Sequence, residues 1–147
     1  MVRPKLREAR EIDEVGHDFG VLHNNVNGAA VIWTEGFGSG QGTTAGKKRV
    51  LYFNGWKPVI LHEVSFGDNL GACGEDNPGH ECYAKKVTWA FIDLDNDHKD
   101  DLIEVVIQQK GPNTDELLWA MKVNAYLIKD GKLTSTSPST QYDTNLD

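Results

Sequence analysis

Residues 87–107 read VTWAFIDLDNDHKDDLIEVVI, two strand-like segments around an acidic centre. Val87, Trp89 and Phe91 occupy every second position of the first segment, which is the period-two pattern of a β-strand. The second segment, Leu102–Ile107, is a short and nearly continuous apolar run. These residues therefore predict two strands joined by the acidic loop.

Strand signals extend from this centre in both directions. Runs rich in β-branched and aromatic residues predict strands at Ala29–Thr34, Arg49–Phe53, Lys57–Val64, Lys122–Ile128 and Lys132–Thr134. Asn54-Gly55 and Asp130-Gly131 predict tight hairpin turns, because Asn, Asp and Gly tolerate positive φ. The glycine-rich segment Gly36–Gly46 predicts a flexible loop that is available for contacts.

The order of these signals repeats weakly, with an offset of about seventy residues. Each half has an Asn- or Asp-rich turn, an apolar strand, a polar loop, a second strand, an X-Gly turn and a return strand. We expect an all-β protein of antiparallel sheets with two blade-like units, either a partial β-propeller or a β-sandwich. Residues 1–134 form one β domain, with a charged segment at 1–20 and a polar tail at 135–147.

The chain carries a net charge of −7, from 22 acidic and 15 basic residues. A nucleic-acid partner needs a basic surface, and so does adhesion to anionic lipid, so both are disfavoured. No apolar stretch is long enough for a transmembrane helix, so membrane insertion is not expected. The N-terminus lacks the apolar core of a signal peptide, which leaves a cytoplasmic protein or a mature form placed behind Met1.

The acidic loop has the spacing of a cation site. Calcium takes six to eight oxygen ligands, and clustered carboxylates repel one another unless a cation lies between them. We expect side-chain ligands from Asp93, Asp95, Asp97 and Asp101, and the backbone carbonyl of Lys99. Asp100 should point away from the cluster. The alternative interpretation is a solvated acidic turn.

The segment Phe91–Ile103 resembles the Asp-x-Asp-x-Asp-Gly-x-x-Asp loop of FG-GAP and VCBS repeats. The resemblance covers the loop and the strand on each side, and it implies calcium bound between two strands of a propeller blade. Asn96 and His98 stand where that family often has glycine. Asn accepts the left-handed conformation more readily than His, so this departure bears on affinity.

Cys73 and Cys82 flank a polar, turn-forming segment that has no core of its own. A disulfide between them would stabilise that segment, and it would place the protein in an oxidising compartment. Two free thiols are the alternative. Half of a zinc site fits less well, because a second pair of ligands is missing.

No set of residues has the spacing of a catalytic site. The five histidines are scattered without ligand spacing, so we expect no enzyme. Trp33 and Trp89 lie in apolar strands and are expected in the core. Trp56, beside the Asn54-Gly55 turn, is the best candidate for an exposed ligand contact.

These features predict a non-catalytic, calcium-binding β protein that is periplasmic or secreted. Its partner is expected to be another protein, with a basic one favoured by charge, as for an inhibitor or a toxin-neutralising immunity protein. A carbohydrate- or cell-surface-binding module that uses Trp56 is the alternative. A metal-dependent hydrolase is the least favoured of the three.

Overall fold

The computed structural model describes residues 16–74, 80–136 and 140–143. These residues form nine strands: β1 Gly16–Val26, β2 Ala29–Gly40, β3 Thr43–Asn54, β4 Lys57–Asp68, β5 Cys82–Ile92, β6 Asp101–Gly111, β7 Leu118–Lys129, β8 Lys132–Ser135 and β9 Thr140–Asp143. All pairings between them are antiparallel. The predicted all-β antiparallel class is confirmed.

The strands form one open sheet in which β1 to β8 lie in chain order and β9 pairs with β7. The sheet is nearly interrupted at its middle. Strands β4 and β5 pair only through Gly67 with Lys85 and Asp68 with Ala84, whereas β5 and β6 pair along their whole length. The result is a first unit, β1–β4, and a second unit, β5–β9, joined by a narrow strip of pairing.

The two units pack against each other through a shared core. Its buried apolar residues come from three strands of the first unit and two of the second: Leu22, Val26, Val31, Val50, Leu102 and Ile128. Trp33 and Trp89 pack against this cluster as partly buried rings, in line with their predicted place in the core. Burial of apolar surface between the units favours this fold-back of the sheet.

Three of the hairpin turns have both central residues at positive φ. They are Asn27-Gly28, Gln41-Gly42 and Asp130-Gly131. Two-residue turns of this kind match the twist of the strands they connect. The predicted Asp130-Gly131 turn is confirmed. In the β3–β4 turn, Asn54 is already paired with Lys57, so the predicted turn is displaced by one residue.

The prediction of a flexible loop at Gly36–Gly46 is wrong. Strand β2 continues to Gly40 and β3 begins at Thr43, with paired residues from Gly36 to Gly46. A Cβ added at Gly46 would lie 2.4 Å from the Phe66 ring and 2.5 Å from the carbonyl oxygen of Gly36. The glycine therefore permits close packing between strands here, so its presence does not indicate flexibility.

The predicted charged segment at residues 1–20 and the predicted polar tail at residues 135–147 both contribute strands to the sheet. Of the charged segment 1–20, residues 1–15 lie outside the described residues, and Gly16–Gly20 begin β1. Of the predicted polar tail 135–147, residues 140–143 form β9 and pair with residues 120–123 of β7.

Candidate cation site and a buried carboxylate

The acidic loop joins β5 to β6, where Ile92 pairs with Asp101. Asp93, the first residue of the loop, accepts two backbone hydrogen bonds. One carboxylate oxygen accepts the N–H of Asp97 at 3.1 Å, and the other oxygen accepts the N–H of His98 at 2.8 Å. Asp97 accepts the N–H of Lys99 at 2.9 Å. These side-chain-to-backbone hydrogen bonds are typical of Asx turns, and they fold the loop tightly.

Asn96 and His98 both have positive φ, 63° and 66°. They are the two positions at which the FG-GAP resemblance leads one to expect glycine. The left-handed conformation is unfavourable for a residue with a Cβ, more so for His than for Asn. The left-handed backbone at Asn96 and His98 therefore has a conformational cost that glycine would not have at these positions.

Asp101 is fully buried and holds the far side of the loop. One of its carboxylate oxygens accepts the N–H of Leu94 at 2.9 Å, and the other accepts the N–H of Ile128 in β7 at 2.8 Å. A carboxylate without protein or ion partners would be very unfavourable at this depth. Asp101 therefore connects the loop to β7 of the second unit.

The side chains of Asp93, Asp95, Asp97 and Asp101 converge. Each can offer one carboxylate oxygen, and these four atoms lie within 4.8 Å of one another. Every carboxylate oxygen has two lone pairs, so the hydrogen bonds to the backbone leave room for a further interaction. The four predicted side-chain ligands therefore form one cluster that can hold a metal ion.

Lys129 of β7 shares this cluster. Its ammonium contacts the Asp95 carboxylate and lies 4.0 Å from that of Asp97. The hydrogen bond from Lys129 lowers the pKa of Asp95, and the same bond raises the pKa of Lys129. The protein thus supplies part of the positive charge that the cluster needs.

The other predicted loop residues have different outcomes. Leu94 is 36% exposed, and its backbone N–H donates to Asp101. Leu102, the first residue of the predicted apolar strand, is fully buried. The carbonyl of Lys99 as a ligand stays a prediction.

Asp100 lies outside the cluster and binds β1. Its carboxylate accepts the N–H of His23 at 2.7 Å, and its own N–H donates to the carbonyl of His23 at 2.7 Å. Asn24 donates to the carbonyls of both Asp100 and Ile128, at 2.8 Å and 3.0 Å. The loop is therefore attached to β1 of the first unit as well as to β7 of the second.

Two further predicted residues can be placed. Cys73 and Cys82 form a disulfide, which is confirmed and fits an oxidising setting. Trp56 is a central residue of the β3–β4 turn and is 41% exposed. It lies at the opposite end of the β3–β4 hairpin from the strip that joins the two units.

Glu104 forms a second carboxylate site, which the sequence analysis did not single out. It is only 3% exposed. Its oxygens accept hydrogen bonds from His62 Nε2 at 2.8 Å, Trp89 Nε1 at 2.9 Å and Asn124 Nδ2 at 3.2 Å. Because His62 belongs to β4, this network is a second polar connection between the units.

Burial raises the pKa of Glu104, but the hydrogen bonds from its partners outweigh burial. The bond from His62 is the largest of these, followed by that from Trp89, and the net pKa lies below its ordinary value of 4.5. Glu104 is therefore a carboxylate at neutral pH. Its charge in turn adds to burial in raising the pKa of Tyr126.

Glu104 could have been noticed in the sequence. It is the one acid within the apolar run Leu102–Ile107, and the alternation of a strand places it on the same face as Leu102 and Val106. Both of those neighbours are buried. An acid on a buried face requires donors, although the sequence does not say which.

Comparison with known proteins adds no relatives: no family model, curated protein or solved structure matches the chain. The FG-GAP and VCBS resemblance therefore stays a local prediction. Within the described residues, no helix has the length and apolar character needed to cross a bilayer.

Proposed function

We propose that the protein is a non-catalytic, calcium-binding β protein that acts outside the cytoplasm by binding another protein. The observation that supports calcium binding is the convergence of four aspartate oxygens within 4.8 Å of one another. Calcium accepts an irregular shell made largely of protein oxygens. Magnesium usually keeps several water molecules, so calcium fits this cluster better.

The contacts of the loop favour a structural role for the ion. Asp101 binds β7, and Asp100 binds β1, so the loop that would hold calcium already connects both units. An ion between the four carboxylates would remove their mutual repulsion and stabilise the loop in this conformation. Calcium would then strengthen the packing of one unit on the other.

An extracytoplasmic location is supported by two features together. The Cys73–Cys82 disulfide is of a kind that persists in oxidising compartments. Extracellular calcium modules work with dissociation constants of about 10⁻⁴–10⁻³ M, so a site with non-glycine residues at two left-handed positions does not need tight binding to serve there. Periplasmic and secreted locations both meet these conditions.

A protein partner is supported by the apolar surface of the edge strand β1. Phe19 and Val21, two positions apart on the same face of β1, are 71% and 66% exposed there. Large exposed apolar side chains that lie close together are typical of interaction surfaces. The net charge of −7 would steer a basic partner towards the protein, as suits an inhibitor or an immunity protein.

Two measurements test this proposal. Calorimetric titration should show one calcium bound per chain, and Asp95→Ala should remove this binding while the matched control Asp115→Ala retains it. The calcium-loaded protein should also recover a partner from an extract of its native host, and the purified partner should rebind saturably. Absence of calcium binding in the wild type would contradict the proposed calcium site. Recovery of no partner would contradict the proposed binding of another protein.

Trp56 supports a second candidate, a carbohydrate- or cell-surface-binding module. Its indole is 41% exposed at the tip of the β3–β4 hairpin, where a sugar ring has room to stack. A glycan array separates the two candidates. Binding to a defined glycan that is lost in Trp56→Ala would favour the module, and binding to none would remove it.

A further inference from the structure

A groove of about 690 Å³ lies where the two units meet, and its charge is opposite to that of the chain as a whole. Four cationic side chains and no acidic ones are among the described residues that line it. The cations are Lys47, Arg49, Lys85 and Lys110. A local positive site on a protein of net charge −7 attracts a ligand that the rest of the surface repels.

The cations in this groove are only partly neutralised. Glu63 flanks it and binds Lys47 at 3.3 Å and the Nε of Arg49 at 2.6 Å. The Arg49 guanidinium has further N–H donors besides Nε. Among the described residues, Lys85 and Lys110 have no carboxylate within salt-bridge distance. Glu63 is therefore the one acid that forms ion pairs with these four cations among the described residues.

The groove crosses the strands instead of following them. Apart from Gly36 of β2, its lining comes from β3, β4, β5 and β6, at the strip where Gly67 pairs with Lys85. Three spacings between neighbouring strands give it a length of about 14 Å, which an extended peptide covers with about four residues. Arg49 and Lys47 lie on the β3 side and Lys110 on the β6 side, so a ligand needs negative charge along its length.

The uncharged lining suits a peptide. Gln108 and Gln109 each carry an amide that can donate and accept, as a peptide group does. Tyr83 is 44% exposed beside them. Trp56, the exposed indole on which a sugar would stack, lies at the far end of the β3–β4 hairpin. A short patch of four cations is also too small for the phosphate contacts that sustain nucleic-acid binding.

We propose that this groove binds a short acidic segment of a partner protein, with Lys85 and Lys110 as its principal charge contacts. This inference rests on the proposed function and makes the partner more specific. The partner would carry a run of about four residues rich in Asp or Glu, held extended across the strands. Overall attraction to a basic partner and local binding of its acidic segment are separate interactions.

The test uses a fluorescein-labelled tetraglutamate peptide and the full chain with its disulfide intact. Fluorescence anisotropy should show saturable binding that weakens as salt is added, because exposed ion pairs are screened. The double variant Lys85→Glu/Lys110→Glu should weaken binding at least about tenfold, since it reverses both unpaired charges. Thermal melting of each variant establishes that it is folded.

A matched control is Lys57→Glu/Lys132→Glu, which changes net charge equally at two exposed lysines that do not line the groove. It should bind the peptide as the wild type does. Absence of saturable binding, or an equal loss in this control, would overturn the proposal. So would tighter binding of a sulfated tetrasaccharide that displaces the peptide, because the occupant would then be a saccharide.

Failure of peptide binding in the groove can be distinguished from failure of the proposed function. Calcium binding and recovery of a partner do not use the tetraglutamate peptide. A protein that binds calcium and its partner but not the peptide would lose only the groove assignment. A protein that binds the peptide but no partner would retain the groove and lose the proposed protein-binding function.

Discussion

Glu104 and the loop Asp93–Asp101 both place carboxylates at a connection between the two units, but their oxygens have different surroundings. Glu104 is almost fully buried and accepts hydrogen bonds from His62, Trp89 and Asn124. In the loop, four aspartate oxygens approach one another, and Lys129 is the one cation among their described contacts. A satisfied carboxylate is a structural element, whereas a group of converging carboxylates has capacity for an ion.

The two sites should differ in how their contribution to stability responds to calcium. Stability that depends on Glu104 should not respond to calcium, because its partners are protein donors. Stability that depends on the loop should respond to calcium.

Replacement of Glu104 by alanine should cost about 3–5 kcal/mol of unfolding free energy, because it leaves three partly buried donors without an acceptor and removes a buried side chain. The loss should be the same with calcium and with chelator, as measured by urea unfolding. Glu104→Gln keeps the shape and one acceptor, so it should cost less and remain folded for measurement. Wild-type stability in both variants would show that the network contributes little.

The pH dependence of stability should also reveal Glu104. Its pKa is lowered in the folded protein, so its contribution is complete above the unfolded value of about 4.5 and is lost as pH falls through the folded value. Glu63 and Asp95 have lowered pKa values too, so the relevant quantity is the difference between wild type and Glu104→Gln. That difference should shrink on acidification below pH 4.5; a constant difference would contradict the assignment.

Lys129→Met should have the smallest effect on stability and a clear effect on calcium. The Lys129 ammonium contacts Asp95, so it competes with an ion for the same oxygens. Its removal should tighten calcium binding severalfold in a calorimetric titration. Lys132→Met, at an exposed position of β8, is the control and should leave affinity unchanged. Unchanged affinity in Lys129→Met would mean that the ion binds elsewhere.

Much of the fold could be predicted because it follows from local patterns. The alternation of Val87, Trp89 and Phe91 and the Asp130-Gly131 turn each specify structure within a few residues, and both are seen. The Gly36–Gly46 segment was misread because glycine is typical both of flexible loops and of strands that approach closely. Which of the two applies depends on Phe66, twenty residues further along the chain.

The sites, too, were predictable where they are local in sequence and were not predictable where they depend on distant residues. Asp93, Asp95, Asp97 and Asp101 were predictable together because one short loop holds all four. The partners of Glu104 were not, because His62 lies 42 residues away and meets it only when the units pack. The cationic groove likewise depends on the pairing of Gly67 with Lys85, which no local pattern indicates.

Thermal melting with saturating calcium and with chelator shows whether the four aspartates of the loop form a calcium site. An ion that binds only the folded state stabilises it by about 2.7 kcal/mol when free calcium is about 100 times Kd. We expect calcium to raise the melting temperature of the wild type and of Asp115→Ala, and to leave that of Asp95→Ala unchanged. An unchanged melting temperature of the wild type in calcium, or an equal rise in Asp95→Ala, would show that these aspartates do not hold calcium.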